Sequence, residues 1–94
     1  MLSHNEIRDA VAYAANLYPI KKASYFGSYA ESRQTESSDL DMLLEFKQNA
    51  VSLLTLSAVK STLEDLLNIS VDVIHAPVAH DSFIKIGKVI EVYG

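Results

Sequence analysis

Apolar residues recur at two different spacings along the chain, and the two spacings predict helices and strands. Over residues 3–17 and 52–67 they recur every three or four positions, which predicts two amphipathic helices. Ser3 and Glu6 have the spacing of a capping box at the start of the first helix, which we interpret as a packing element. Pro19 follows this helix, and we expect the helix to end before it.

The second helix carries a longer apolar stripe, which we expect to pack in the core, with part of it serving a partner. Its members are Leu53, Leu56, Val59, Leu63, Leu66 and Leu67. Asn68 follows the last of them and is a residue type that can end a helix in a left-handed conformation. We therefore expect the helix to end there.

Shorter apolar runs, bounded by turn residues, predict strands. The predicted strands cover residues 22–26, 39–46, 70–75 and 89–93, the last of them at an edge. One face of the second strand is apolar and is formed by Leu40, Met42, Leu44 and Phe46. Two short helices are also predicted, over residues 29–34 with Ser28 as N-cap and over residues 81–86.

This order of elements predicts an α+β domain built on a single mixed β-sheet of three to four strands flanked by helices. The short connection between the first two strands permits an antiparallel pair, whereas the helix between the second and third permits a parallel pair. The 94 residues are enough for one hydrophobic core, so we expect residues 1–94 to form a single domain.

Composition and charge exclude several classes of protein. The chain has no cysteine, which excludes disulfides, thiolate metal ligands and a cysteine nucleophile. Neither a signal peptide nor an apolar run of membrane-spanning length is seen, so we expect a cytoplasmic protein with no membrane partner. The net charge of −4, without a basic stripe, argues against tight binding of duplex nucleic acid through its phosphates.

Three aspartates at the start or in the middle of predicted strands are the candidates for chemistry. Asp39 and Asp41 are two residues apart, so both carboxylates project from one face, with Cα atoms roughly 7 Å apart. Asp72 can join them if its strand is adjacent and in register. Like charges held this close need a cation between them, and Mg²⁺ prefers hard oxygen ligands. Three carboxylates could hold two metal ions about 3.5–4 Å apart, and Asp72 could also accept a proton.

The turn at Gly27 and Ser28 is a second candidate feature. Glycine lets the backbone approach a ligand closely, and a following helix N-terminus with the Ser28 hydroxyl would donate hydrogen bonds to a phosphate. Tyr29 comes next and could line a nucleotide pocket. Each aspartate also has an ordinary interpretation, because Asp39 could close a turn while the other two could be solvent-facing strand positions.

The spacing of these residues resembles the signature of the DNA polymerase β-like nucleotidyltransferase superfamily. That signature is Gly27-Ser28, ten intervening residues, the pair Asp39-x-Asp41 and then a strand aspartate, here Asp72. The short chain and the sequence over residues 24–30 resemble the minimal nucleotidyltransferases (MNT) of two-gene HEPN/MNT modules. The resemblance covers roughly residues 24–74.

The resemblance implies a fold, a reaction and a set of roles. The fold is a mixed sheet flanked by helices, and the reaction transfers a nucleoside monophosphate from a nucleoside triphosphate such as ATP to a hydroxyl. Asp39, Asp41 and Asp72 would be catalytic residues and Mg²⁺ ligands, while Gly27 and Ser28 would bind phosphate. In HEPN/MNT modules the MNT member is the antitoxin and adenylylates a tyrosine of its HEPN partner.

The chain departs from the signature just after the Gly-Ser turn. Family members often read Gly-Ser-x-Ala-Arg-Gly, whereas here Ala30 is followed by Glu31 and Ser32, and an arginine comes only at Arg33. An arginine near the triphosphate would stabilise its charge. Either Arg33 takes this role, or the protein is a slower or degenerate member.

We therefore predict an antitoxin that uses ATP and Mg²⁺ to adenylylate a helical HEPN-type partner. Two other functions stay open at this point: a non-catalytic antitoxin that neutralises its partner by binding, and the catalytic chain of a small-molecule nucleotidyltransferase. The sequence does not distinguish self-association from a hetero-complex, and it does not fix the base of the nucleotide.

Overall fold

In the described part of the chain, two helices and four strands form in the order that the sequence predicts. The computed structural model describes residues 2–35, 37–48, 50–76 and 87–94. The elements are α1 (His4–Leu17), β1 (Ile20–Phe26), β2 (Leu40–Phe46), α2 (Leu53–Leu67), β3 (Val71–Ala76) and β4 (Val89–Tyr93). The short helix expected over residues 81–86 lies outside the described residues. Among the described helices, none combines the length and the apolarity needed to cross a bilayer.

Both helices begin and end at the residues that the sequence marks. The Ser3 side chain accepts a hydrogen bond from the Glu6 amide, and the Glu6 carboxylate accepts one from the Ser3 amide, so the capping box is confirmed. Ser52 caps α2 in the same way by accepting a hydrogen bond from the Thr55 amide. Asn68 ends α2 in the left-handed conformation, with φ of 57°.

The four strands form one mixed sheet in the order β3-β2-β1-β4. The central hairpin pairs β1 with β2 in antiparallel fashion, and β4 adds to the other edge of β1, also antiparallel. The connection through α2 brings β3 alongside β2 in parallel, as expected for a crossover helix. The predicted mixed sheet and the predicted last edge strand are therefore confirmed.

The core lies between one face of this sheet and the two helices. The helices supply the fully buried Ile7, Val11, Val59 and Leu63. The predicted apolar face of β2 is buried throughout, with Leu40, Met42, Leu44 and Phe46 all inside. Alternation along β2 leaves the opposite face of the sheet to the polar positions, and the candidate aspartates lie on that face.

Two leucines of the predicted stripe on α2 lie outside the core. Leu53 is 80% exposed and Leu66 is 46% exposed, so the core contains only part of the stripe. At 100° per residue, they fall roughly 70° to either side of the buried line through Val59, Leu63 and Leu67. The buried part of the stripe is therefore narrower than the sequence suggests.

The short helix predicted over residues 29–34 does not form. Residues 27–32 are a turn, in which the Glu31 amide donates to the Gly27 carbonyl at 3.1 Å and the Arg33 amide donates to the Ser28 carbonyl at 2.8 Å. Gly27 and Ser32 both have positive φ, at 71° and 57°. A right-handed helix cannot include residues with left-handed dihedral angles, so the chain forms a single turn here and no helix.

Candidate active site

The pairing of β2 with β3 brings two of the three candidate aspartates side by side. The parallel register sets Asp41 directly opposite Asp72, and neighbouring strands lie only about 4.8 Å apart. Asp39 comes just before β2 and is exposed, as is Asp72, whereas Asp41 is partly buried between them. The condition that the sequence left open, that the third strand be adjacent and in register, is therefore met.

The three carboxylates place more negative charge here than the surrounding residues compensate. Burial raises the pKa of Asp41, and the charges of Asp72 and Asp39 raise it further. The ion pairs formed among the described residues are Arg8–Asp9, Lys21–Glu45 and Arg33–Glu31, and none of them includes these aspartates. A cation bound between the carboxylates would relieve this repulsion.

The oxygen donors suit a magnesium ion, although they do not form a ready-made cage. In the described part of the chain, no three acidic or histidine side chains converge as a preformed ligand set. Mg²⁺ characteristically takes only one or two protein carboxylates and completes its octahedron with water and substrate phosphates. Asp41 with either neighbouring aspartate satisfies that requirement in ligand type and in charge.

The glycine turn lies directly against this acidic cluster. Phe26, the last residue of β1, pairs with Asp41 across the hairpin, so Gly27 begins the turn beside that carboxylate. A Cβ atom added at Gly27 would collide with Asp41 Oδ2, and the positive φ of Gly27 would be strained for any other residue. The sequence predicted a close backbone approach at this glycine, and the group that approaches is the Asp41 side chain.

The turn offers amide groups to a ligand even though it is not a helix N-terminus. The amides of Glu31 and Arg33 are used inside the turn. Within the described residues, the amides of Ser28 and Tyr29 donate to no other group. Successive free amides in a turn can form an anion-binding concavity, so Ser28 remains a candidate phosphate ligand through its backbone and its hydroxyl.

The other predicted nucleotide-binding residues have different surroundings. Tyr29 is only 7% exposed and belongs to the hydrophobic core, so little of its ring is open to a ligand. Arg33 lies at the surface, where its guanidinium pairs with the Glu31 carboxylate at 3.2 Å. The sequence singled out Glu31 as a departure from the signature, but it did not predict this ion pair.

An apolar pair also lies on the same face of the sheet as the aspartates. Leu43 of β2 pairs with Ile74 of β3, two residues along each strand from Asp41 and Asp72. Ile74 is 37% exposed, because α1 and α2 cover the opposite face. The alternation of β2 already placed Leu43 on the polar face, so the sequence contained this signal.

The likeness of the whole chain to known proteins agrees with this geometry. The family described as "Polymerase beta, Nucleotidyltransferase" matches residues 9–90, a span that contains both the Gly27 turn and all three aspartates. The chain belongs to this family of nucleotidyltransferases. The resemblance noted from the sequence and the predicted enzyme class, a nucleotidyltransferase, are therefore confirmed.

Proteins of one archaeon are among its relatives in sequence. The nucleotidyltransferase domain is 41% identical over 68 residues to "Putative protein adenylyltransferase MJ0126" of Methanocaldococcus jannaschii, covering 72% of this chain and 68% of the relative. It is 43% identical over 70 residues to "Putative protein adenylyltransferase MJ0435" of the same organism, covering 74% of each.

Solved structures share the fold of this nucleotidyltransferase domain. A structure described as a "putative minimal nucleotidyltransferase" superposes with a TM-score of 0.73 at 29% identity, over 88% of this chain and 86% of the other. A toxin–antitoxin crystal structure with AMP-PNP gives a TM-score of 0.77 at 19% identity, over 99% and 74%. A tri-AMPylated HEPN toxin with its MNT antitoxin from Shewanella oneidensis gives 0.70 at 14% identity, over 98% and 73%. The predicted polymerase β-like fold is thus confirmed.

Proposed function

We propose that this chain is a magnesium-dependent protein adenylyltransferase that acts as the antitoxin of a HEPN-type partner. The observation that carries the proposal is the register of β2 and β3, which sets Asp41 opposite Asp72 beside the Gly27 turn. Clustered carboxylates and a phosphate-accepting turn are the two halves that a nucleotidyl transfer needs.

The residues of the cluster divide into ligands and a proton acceptor. Asp39 and Asp41 would hold Mg²⁺, with Asp72 as the third carboxylate, and the metal would neutralise charge on the triphosphate. Gly27 and Ser28 would hold the phosphates through backbone amides and the Ser28 hydroxyl. Arg33 would add a positive charge at the same turn.

The transfer itself exchanges one phosphorus–oxygen bond for another. The acceptor hydroxyl oxygen forms a bond to the α-phosphorus of ATP, and the bond from that phosphorus to the bridging oxygen of pyrophosphate breaks. The hydroxyl proton passes to Asp72, whose exposed carboxylate is free to receive it from a group arriving from solvent. Pyrophosphate leaves, and AMP remains on the acceptor.

The acceptor is proposed to be a tyrosine hydroxyl of the partner protein. The sequence relatives carry the name of protein adenylyltransferases, and one structural neighbour is described with a tri-AMPylated HEPN toxin. The aspartates lie on the sheet face that α1 and α2 leave uncovered, where a folded partner could bring a side chain to Asp72. This access supports a macromolecular acceptor.

Label transfer tests the proposal directly. The purified chain is incubated with ATP labelled at the α-phosphate, Mg²⁺ and a purified HEPN-type protein as the candidate partner, and the label on each protein is counted. We expect label on the partner that falls at least about 100-fold in Asp39→Asn and Asp41→Asn. Asp9→Asn is the matched control, since it removes an exposed carboxylate on α1 and should leave transfer unchanged.

A non-catalytic antitoxin is the second candidate function, and the Glu31–Arg33 ion pair favours it. That pair neutralises the only cationic side chain in residues 27–33, which lowers the positive charge available to a triphosphate. The same variants separate the two functions. Neutralisation of the partner that persists in Asp41→Asn, without any label in the wild type, would contradict the enzyme and support inhibition by binding alone.

A further inference from the structure

The turn proposed to bind phosphate carries a carboxylate of its own. Arg33 Nη2 lies 3.2 Å from Glu31 Oε2, so the one cationic side chain in residues 27–33 is already paired. Both side chains are open to solvent, with 65% of Arg33 and 40% of Glu31 exposed. The pair is therefore held by a weak surface interaction, which a more highly charged ligand can replace.

The backbone of the turn keeps both residues next to Gly27 and Ser28. The Glu31 amide donates to the Gly27 carbonyl, and the Arg33 amide donates to the Ser28 carbonyl. These two hydrogen bonds fold the chain back on itself within seven residues, from 27 to 33. They fix the backbone of Glu31 beside Gly27, so its carboxylate stays within side-chain reach of the turn.

We propose that Glu31 sets the affinity of this site for triphosphates by competing with the phosphate chain for Arg33. This inference rests on the proposed function, because it takes the turn to be the triphosphate site. Without a nucleotide, Glu31 holds the guanidinium of Arg33. When a triphosphate binds, Arg33 exchanges a single carboxylate for the more highly charged phosphates, and Glu31 is left unpaired beside them.

Two costs follow for the bound state, and both disappear when Glu31 is made neutral. Binding must first break the Glu31–Arg33 pair, and it then brings the phosphates close to a free carboxylate. Replacement by glutamine keeps the size of the side chain and removes both costs. The change is expected to be small, because solvent screens charges at such exposed positions.

Equilibrium binding of a non-hydrolysable ATP analogue with Mg²⁺ measures the effect without turnover. We expect Glu31→Gln to lower the Kd about two- to fivefold at low salt, with a smaller change at high salt. Inorganic triphosphate, used as a competitor, should also bind more tightly to Glu31→Gln by the same factor, because Glu31 interacts with the phosphates and not with the base. Asp9→Asn, which breaks an exposed ion pair on α1, should leave the Kd unchanged.

A double-mutant cycle separates competition from simple repulsion and from positioning. If Glu31 sequesters Arg33, then Arg33→Gln weakens binding by a larger factor in the Glu31→Gln background than in the wild type. An unchanged or weakened affinity in Glu31→Gln overturns the inference, and so does an equal effect of Arg33→Gln in both backgrounds.

The outcome for the wild type distinguishes this inference from the proposed function. If the wild type binds the analogue and Glu31→Gln binds it no more tightly, only the role of Glu31 is overturned. Absence of binding in every variant, with thermal melts showing each to be folded, overturns the proposed site and the role of Glu31 together.

Discussion

Ser32 adopts a backbone conformation that glycine would adopt at a lower cost. Its φ of 57° lies in the left-handed region, where a side chain costs roughly 1–2 kcal/mol. Members of the family often have glycine at the corresponding position of the signature. Ser32 therefore carries a backbone strain that a glycine at this position would avoid.

Replacing Ser32 by glycine should therefore stabilise the protein. The relief of strain exceeds the added entropy of the unfolded chain, so we expect Ser32→Gly to raise the free energy of unfolding by about 0.5–1 kcal/mol. Urea unfolding measures the difference. Ser61→Gly, at an exposed position within α2, is the control and should lower the same quantity by about 0.5 kcal/mol.

Asp41 is a residue at which the proposed function and stability oppose each other. Burial and two neighbouring carboxylates raise its pKa, so the folded protein binds this proton more tightly than the unfolded chain does. The stabilisation by the proton is present at acid pH and is lost as the pH rises through the raised pKa. At neutral pH the ionised Asp41 therefore works against folding.

Asp41→Asn should raise the melting temperature in metal-free buffer at neutral pH while it removes label transfer. The gain should shrink as the pH falls through the raised pKa of Asp41, and it should be gone below pH about 4, where the carboxyl is neutral in the folded protein. Thermal melts at both pH values test this, with Asp9→Asn as the exposed control. A melting temperature that falls in Asp41→Asn at neutral pH would contradict the repulsion that we describe.

At the scale of elements, periodicity predicted α1, α2 and all four strands to within about two residues. It was wrong over residues 29–34, because the polar composition of that segment is compatible with a helix, while the left-handed dihedrals of Gly27 and Ser32 are not. It also assigned too many leucines to the buried stripe of α2. Apolar spacing along a helix shows which residues can be buried, but packing against the neighbouring helix and sheet decides which are.

The leucines of α2 provide a paired test of that difference. Leu63 is fully buried, so we expect Leu63→Ala to lower the free energy of unfolding by about 2–5 kcal/mol. Leu53 lies on the same helix but is largely exposed, so Leu53→Ala should change the free energy by less than about 0.5 kcal/mol. Urea unfolding compares the two; similar losses would place Leu53 in a buried environment that its exposure excludes.

At the scale of the whole molecule, the candidate site is shared by three strands rather than built on one. Gly27 follows β1, Asp41 is the second residue of β2 and Asp72 belongs to β3. The sequence supplied the candidate residues, but the register between β2 and β3 depends on how α2 packs across the sheet. That long-range packing is why the meeting of Asp41 and Asp72 could only be stated as a condition.

A ligand that bridges these strands should stabilise the domain as a whole. We expect Mg²⁺ and ATP together to raise the melting temperature more than either does alone, because the metal would be held by carboxylates and phosphates jointly. Binding adds about 2.7 kcal/mol to the free energy of unfolding at a ligand concentration 100 times the Kd. Asp41→Asn should lose most of this rise, which differential scanning fluorimetry can measure. Equal rises in the wild type and in Asp41→Asn would contradict a site at this carboxylate.

The order β3-β2-β1-β4 also determines when the candidate site can first exist during folding. The β1–β2 hairpin joins Gly27 to Asp41 by local pairing, whereas Asp72 arrives only after α2 has crossed the sheet and β3 has docked. Non-local pairings of this kind form more slowly than hairpins. A chain caught at the hairpin stage holds the glycine turn and one carboxylate, but it has no opposing Asp72. The candidate site is therefore complete only after the α2–β3 crossover has docked on the hairpin.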